Sequence, residues 1–460
     1  MSRSPEAASP EAALPLAPRN PLTFVERLRA VRDTHTGQAT LRDAGGNVTR
    51  VTLGPKWLSP PIILVTSPSG ARDVLARHNE SCDRTAVHRE LRHLMGDNLA
   101  DLPHQPWLSR KRTLQPMFTQ HYVRGFAAHM SQAAAMVADG WHAEAEVDLD
   151  EGCRRLTLRA LGRAALGMDL DERADEIAEP LKIALSYVTD RGVRPVRAPR
   201  WLPTPARRRA RAAHATMHSL ARDVLQSCRA DPERDAPLVR ALMAATDPVT
   251  GRGLSDEDIC NDLVAFIVAG HDTTATTLAF ALWALGHHID FQDRVAEEAL
   301  ALGAHELTAK DIPRLGFTAQ VVQEAMRLCP PVPVAGRTAM QDIDVDGYRI
   351  EAGSMVLVGL YGLHSDPKIW PDPLVFDPGR FTADGATRRD RWAFLPFGGG
   401  PRSCIGDQFA MLEATLAIAT IVRTIELRSQ DDDFPVAAPF TTVAAAPVLS
   451  KVRARSGGTS

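Results

Sequence analysis

The stretch FGGGPRSCIGDQF, residues 397–409, decides how the whole chain is read. Its three consecutive glycines and its proline disfavour regular structure, whereas the apolar run beyond Gly406 starts a helix. Cys404 therefore stands at a loop-to-helix junction. Backbone N–H groups left free at such a junction, together with the positive end of the helix dipole, favour a thiolate and donate hydrogen bonds to its sulfur. That is the environment of an axial sulfur ligand to a metal. Gly400 and Gly406 would let backbone approach a flat macrocycle, and Arg402 offers a charge to a carboxylate on its edge. The other five cysteines (Cys82, Cys153, Cys228, Cys260 and Cys329) are scattered without paired spacing. They read as small buried hydrophobes in a reducing cytoplasm.

Outward from this loop, the most apolar stretch runs from Leu263 to Leu285. It is long enough to span a bilayer, but His271, Asp272 and several threonines in its middle predict a buried core helix instead. Within FIVAGHDTTATTLAF, Gly270, Asp272, Thr273 and Thr274 conflict with the apolar helix around them, and hydroxyls bonding back to preceding carbonyls predict a local opening of its ladder. In QVVQEAMRL, Glu324 and Arg327 lie three apart on one helix face and can pair.

Helical periodicity dominates from Pro116 to about Gly286, in GRAALGM, ADEIAEPLKIALSYV and RAAHATMHSLARDVLQSC. Strand signals appear early, at Val48–Leu53 and Ile62–Val65, followed by a helix in SPSGARDVLARHN, and return late in DIDVDGYRIEAGSMVLVGL, where DG and AG supply turns. A final helix follows Gly406. The expected fold is mainly α with small β-sheets (α+β): one large domain over residues 21–454, between a flexible tail at 1–20 and a short tail at 455–460. An apolar share of 44%, a charged share of 24% and a formal charge of -3 suit an ordinary globular protein and give no overall reason to expect nucleic acid or an anionic membrane as partner. The arginine-rich RGVRPVRAPRWLPTPARRRARAA is read as a solvated loop opening a basic helix.

Phe397, Gly400, Arg402, Cys404 and Gly406 resemble, position by position, the haem-binding signature of the cytochrome P450 family, whose iron is ligated by a cysteine thiolate. Glu324 and Arg327 match the family's Glu-x-x-Arg pair, and Pro378, Arg380 and Phe381 match its Pro-x-Arg-Phe element. Ala269, Gly270, His271, Asp272, Thr273 and Thr274 resemble its Ala-Gly-x-Asp-Thr-Thr segment. The resemblance implies a single haem-enclosing fold, haem b (iron protoporphyrin IX) held by Cys404, and dioxygen as co-substrate. It implies that Thr273 and Asp272 deliver protons, that Ala269 lies against the haem, and that Glu324, Arg327 and Arg380 brace the loop leading to Cys404. His271 falls at the family's variable position and is assigned a structural or outward-facing role. Arg337 matches a propionate-gripping position. Trp107 matches another motif whose usual arginine, four residues on, is here Lys111, with Arg112 beside it; which of the two makes the contact is left open.

By the same analogy the substrate pocket takes residues from the loop around Arg89 to Leu102, from 183–193, from Ala265, Phe266 and Ala269, from Val332 to Ala335, including Val334, and from 441–443, including Thr442. The small aliphatic side chains there point to a lipophilic substrate, a terpenoid, a steroid or a fatty-acid-like chain. The expected reaction inserts one oxygen atom into it. Electrons come indirectly from NAD(P)H through a separate ferredoxin and ferredoxin reductase, and the protein acts as a cytoplasmic monomer with no membrane anchor. The alternatives are a peroxide-driven or C–C/C–O coupling relative, and a non-enzymatic haem sensor.

Overall fold

The apolar run containing His271 and Asp272 folds as one helix, Asp256–His287, in a computed structural model that describes residues 14–455 apart from 56–59, 143–144, 171–172 and 195–196. Ser255 and Asp258 close a capping box at its start, and Asp256, Glu257 and Asp258 meet the positive end of its dipole. From there it runs through the interior, packed against Leu149–Leu161, Pro205–Ala230, Gly316–Leu328 and Asp407–Thr424. Among the described residues it is the one helix long and apolar enough to cross a membrane, and most of it is buried inside the fold. The local opening expected near Thr273 does not occur. Thr273 Oγ1 donates to the Ala269 carbonyl at 2.6 Å and Thr277 Oγ1 to the Thr273 carbonyl at 3.0 Å, while the helix stays α throughout. Both hydroxyls add a bond to a carbonyl of the ladder without displacing its N–H partner.

The helices enclose two large apolar clusters. One gathers around Asp407–Thr424, Ala127–His142 and the end of the central helix; the other lies between Pro205–Ala230 and the start of the central helix. A five-stranded sheet flanks them in the order Val48–Val51, Ile62–Val65, Met355–Gly359, Val334–Ala339, Cys82–Asp83. Its early ribbon pairs antiparallel as the sequence predicts, Val48 opposite Val65, and the late segment joins it in parallel, Ile62 opposite Met355. The DG turn makes a tight hairpin between Ile343–Val345 and Tyr348–Ile350, with φ of 51° at Asp346 and 82° at Gly347. The two-residue strand Cys82–Asp83 pairs with Ala339 and Thr338 and so brings the next residue, Arg84, alongside Arg337.

Parts of the segments expected as tails, 1–20 and 455–460, are placed in the fold. Residues 1–13 and 456–460 lie outside the described residues, but from Leu14 the chain follows the ribbon: Ala17 and Asn20 are buried, and Pro18 and Pro15 accept hydrogen bonds from the Arg50 and Arg349 amides at 2.7 and 2.8 Å. Arg455 donates to the Val422 carbonyl at 2.8 Å and pairs with Asp293 at 2.7 Å. The basic segment is partly structural. Arg191 pairs at 2.8 Å with the buried Glu90, which Arg200 also reaches at 3.3 Å, and Arg207 donates to carbonyls of the preceding loop; Trp201 is 80% exposed.

Candidate active site

The cysteine loop is shaped by two glycines in the left-handed region, Gly398 at φ +68° and Gly400 at φ +70°. Gly400 serves a different purpose from the close macrocycle approach expected of it. A methyl there would stand 2.1 Å from the Leu75 carbonyl oxygen, so glycine is required by backbone packing as well as by φ. Phe397 turns the chain back, its carbonyl accepting from the Cys404 amide at 2.9 Å. Gly406 precedes the helix Asp407–Thr424, and its N–H donates to the Cys404 sulfur, a pull toward thiolate. Desolvation outweighs that pull, and the thiol is pushed up to about 11.

Cys404 opens into a cavity of about 370 Å³. Phe397, Ile405, Gly406 and Phe409 line it beside the sulfur. Phe266, Ala269, Gly270, Thr273 and Thr274 of the central helix line it too, as do Val332, Val334 and Ala335. The wall is mostly apolar. Gly270 leaves space here, since a methyl on it would meet only the Leu161 side chain, at 3.6 Å. Ala265, Thr442 and the residues at 183–192 are not among the lining residues, whereas Phe440 is. Thr442 is turned away by its own partners: its hydroxyl bonds the Pro330 carbonyl at 2.7 Å and the His35 ring at 3.1 Å, and its carbonyl accepts from Thr276 at 2.8 Å.

Asp272 also faces away from the cavity. It is buried and bound by Arg154 at 2.5 Å, which in turn holds Asp150 at 2.7 Å. Arg154 is partly exposed, so this chain of charges runs from beside Thr273 toward solvent. His271 is inward and structural. Its Nδ1 meets Thr157 Oγ1 at 3.0 Å, and burial pushes its imidazole down to about 4, against the upward pull of Asp272.

Three arginines and a histidine converge on the cavity: Arg84, His88, Arg337 and Arg402. Desolvation lowers all three guanidiniums, Arg337 to about 9 and Arg402 to about 10; repulsion from Arg84 adds to it at both of these, and from Arg402 at Arg337, while the fields of Asp83 and Asp101 oppose it at Arg84 and Arg402. The same cations hold the His88 ring well below its usual range, after desolvation. Arg337 Nη1 donates to the Gly336 carbonyl at 2.9 Å and Arg402 Nη1 to the Leu102 carbonyl at 3.0 Å. Arg84 Nε, Arg337 Nε and Arg402 Nη2 are buried with no hydrogen-bond partner among the described residues. Orphaned donors on crowded cations are the complement of a dianionic group, which fits the two propionates of a haem set against Cys404. Arg84 and His88 are absent from the sequence reading.

Trp107 is buried and supports the cluster from outside, its ring 4.5 Å from the Arg402 guanidinium. Neither candidate after it lines the cavity. Lys111, one turn on from Trp107, donates to the Pro401 carbonyl in the cysteine loop, and Arg112 is drawn to Asp247 at 3.5 Å. Behind the site, Arg327 clasps the fully buried Glu324 through Nε at 2.6 Å and Nη2 at 2.7 Å, and Arg380 Nε approaches the same carboxylate at 3.4 Å. The spare donors of both arginines bind carbonyls of Pro371, Asp372, Pro373 and Val375, pinning that loop.

Residues 17–452 match the cytochrome P450 family. Among curated proteins the chain is 32% identical, over 84% of its length and 83% of the relative's, to a cyclooctat-9-en-7-ol 5-monooxygenase of Streptomyces melanosporofaciens. It is 31% identical to a cyclooctatin synthase of the same organism, over 84% of each chain. Among solved structures, the haem domain of cytochrome P450DA superposes with a TM-score of 0.83 at 26% identity, covering 97% of this chain and 98% of that one. A match across nearly the whole sequence, with the cysteine loop and the Glu-Arg-Arg brace in place, establishes that this chain is a member of the cytochrome P450 family, a haem-thiolate monooxygenase.

Proposed function

We propose that this protein hydroxylates a lipophilic, terpenoid-like small molecule, taking electrons from a separate ferredoxin and ferredoxin reductase that draw on NAD(P)H, and that it works as a monomer in the cytoplasm. The observation that carries the reading is the cavity itself: apolar walls, with the Cys404 sulfur and the Thr273 hydroxyl opening into the same space. The names of the cyclooctatin relatives support a terpenoid among the lipophiles.

Cys404 would hold the iron, and Arg84, His88, Arg337 and Arg402 the propionates. When bound, b-type haem supplies the dioxygen activation that no side chain can perform. The chain supplies the rest. Phe266, Val332 and Val334 exclude water and seat the apolar substrate. Thr273 places a hydroxyl at the cavity wall, and its neighbour Asp272, turned away from the cavity and held by Arg154 beside Asp150, is the carboxylate that would pass protons from the partly exposed side toward it.

The test is a spectral titration of the purified holoenzyme with a panel of diterpene alcohols, steroids and fatty acids, followed by turnover with ferredoxin and reductase or with peroxide. Tight displacement of the ferric water ligand by the terpenoids, with turnover dependent on the electron donors, is the expected result. Preference for fatty acids, or turnover with peroxide alone, would sink the proposal. The ferrous carbonyl complex should carry the red-shifted Soret band of thiolate ligation, and Cys404→Ser should abolish it.

A further inference from the structure

A second cavity, of about 940 Å³, lies beside the one at Cys404, and no described residue lines both. The same stretches of chain divide the two. The central helix presents Thr277 to the first cavity and Phe280 to the second, and the segment after Gly316–Leu328 presents Pro331 to the first and Cys329 to the second. Leu360 and Tyr361 part in the same way, as do Phe440 and Phe434. Thr442 closes the partition through its bonds to the Pro330 carbonyl and to His35, and His35 itself lines the second cavity. Catalysis at Cys404 does not account for this space.

The lining of the second cavity combines aromatic rings with acids. Phe280, Trp283 and Phe434 stand 5.3, 5.2 and 5.8 Å apart between centroids, tilted at 46°, 66° and 69° to one another. Trp283 is held by its own N–H, which donates to the Asp431 carbonyl at 3.0 Å, and His287 Nε2 meets the same oxygen at 3.0 Å. These contacts fix the backbone that carries Asp432 and Asp433 to the cavity, exposed and with no ion pair or side-chain hydrogen bond among the described residues. Asp33 is a third carboxylate on the lining, engaged by the His35 amide and the Thr36 hydroxyl, and Arg32 is the one guanidinium there. Leu374, Val375 and Val436 also line the cavity, yet are 71%, 54% and 41% exposed, a patch of large apolar side chains left open to water.

Each simpler class of ligand uses only part of this lining. An anion would meet two unpaired carboxylates, a neutral lipophile would leave them without a partner, and a hydrated metal ion would gain little from the rings. An ammonium on an apolar body uses all of it. The volume suits such a molecule, since small-molecule sites occupy roughly 300–1,000 Å³. We propose that this cavity is a second ligand site, separate from the haem pocket, for an amphipathic organic cation whose ammonium sits among Phe280, Trp283 and Phe434, within the field of Asp432 and Asp433, while its apolar body covers Leu374, Val375 and Val436. The proposal stands independently of which substrate is oxidised at Cys404.

Calorimetric titration of the holoenzyme tests it, with the haem cavity filled by saturating 4-phenylimidazole bound to the iron. The probes are 4-phenylbutyltrimethylammonium, its neutral tert-butyl isostere and the carboxylate of the same chain length. The cation should bind once per chain, at least about tenfold more tightly than the isostere, with the carboxylate weaker still. The double variant Asp432→Asn, Asp433→Asn alters only exposed side chains and should weaken the cation several-fold while leaving the isostere unchanged. No binding, equal affinity for cation and isostere, binding abolished by 4-phenylimidazole, or an affinity for the cation unmoved in the double variant overturns the proposal.

Discussion

Replacing Arg337 with Met should change the stability of the haem-free protein and its grip on haem in opposite directions. Arg337 is buried, donates to the carbonyl of Gly336, and faces Arg84 and Arg402. A fall of its guanidinium from 12.5 to about 9 corresponds to about 5 kcal/mol of penalty on the charged form. Methionine removes that penalty and keeps most of the apolar stem, at a packing cost of about 1–2 kcal/mol. The haem-free variant should therefore gain about 3–4 kcal/mol, in line with what replacing buried charges by apolar groups yields elsewhere. Holoprotein behaves oppositely, because a charge-assisted hydrogen bond to a propionate is worth about 1.5–3 kcal/mol, so haem loss should accelerate roughly 10- to 100-fold. Urea unfolding of the haem-free protein, followed by circular dichroism, reads the first quantity. Haem transfer to apomyoglobin reads the second. If both fall together, Arg337 is an ordinary structural arginine and the cation cluster is not a propionate site.

The buried imidazoles make stability sensitive to acid. His271 and His35 are each pushed down to about 4, so below about pH 6.5 the unfolded chain binds protons that the folded one refuses. Their contribution is complete above that point and is lost as pH falls toward about 4, about 3 kcal/mol for each; His271→Gln should reduce proton uptake on unfolding by about one, as read from urea midpoints across that range. Glu324→Gln leaves the Arg327 charge facing a neutral partner in a fully buried site and should cost about 3–5 kcal/mol in urea unfolding of the holoprotein. A loss under about 1 kcal/mol would show the brace to be dispensable. Gly400→Ala combines left-handed backbone with an overlap on the Leu75 carbonyl and should cost about 2 kcal/mol or more, with haem lost during purification. Thr273→Ala should leave reductant consumption largely intact while product formed per reductant drops about tenfold or more; unchanged coupling would remove Thr273 from the proton path.

The features legible in the sequence share one property: their meaning is local. A glycine-rich loop ending at a helix start, polar residues inside an apolar helix, and an acid three residues from an arginine each declare themselves within about a turn or two of chain. The local reading fails where the answer depends on a partner far away in the chain. Thr442 looked like pocket wall among small aliphatic neighbours, yet its hydroxyl is claimed by Pro330 and His35. Gly400 looked like room for a macrocycle, yet the atom it makes room for is the carbonyl of Leu75. Lys111 and Arg112 could not be told apart by type. Helix phase separates them, because Lys111 shares the face of Trp107 four residues before it while Arg112 points on toward Asp247.

Arg84 and His88 show why the most informative part of the site stayed hidden. They owe their place to a strand of two residues, Cys82–Asp83, too short to carry any periodic signal, paired at the sheet edge with Ala339 and Thr338. That pairing sets Arg84 against Arg337, and the Leu102 carbonyl holds Arg402 beside them. Burial opposes all three charges, and Arg84 adds repulsion at Arg337 and Arg402, a local arrangement that folding by itself would not favour. Such frustration persists when function requires it, because an anion arriving in the cavity turns every repulsive pair into a shared attraction. The charge crowding that folding carries in this corner is therefore what an anionic group seated there would relieve.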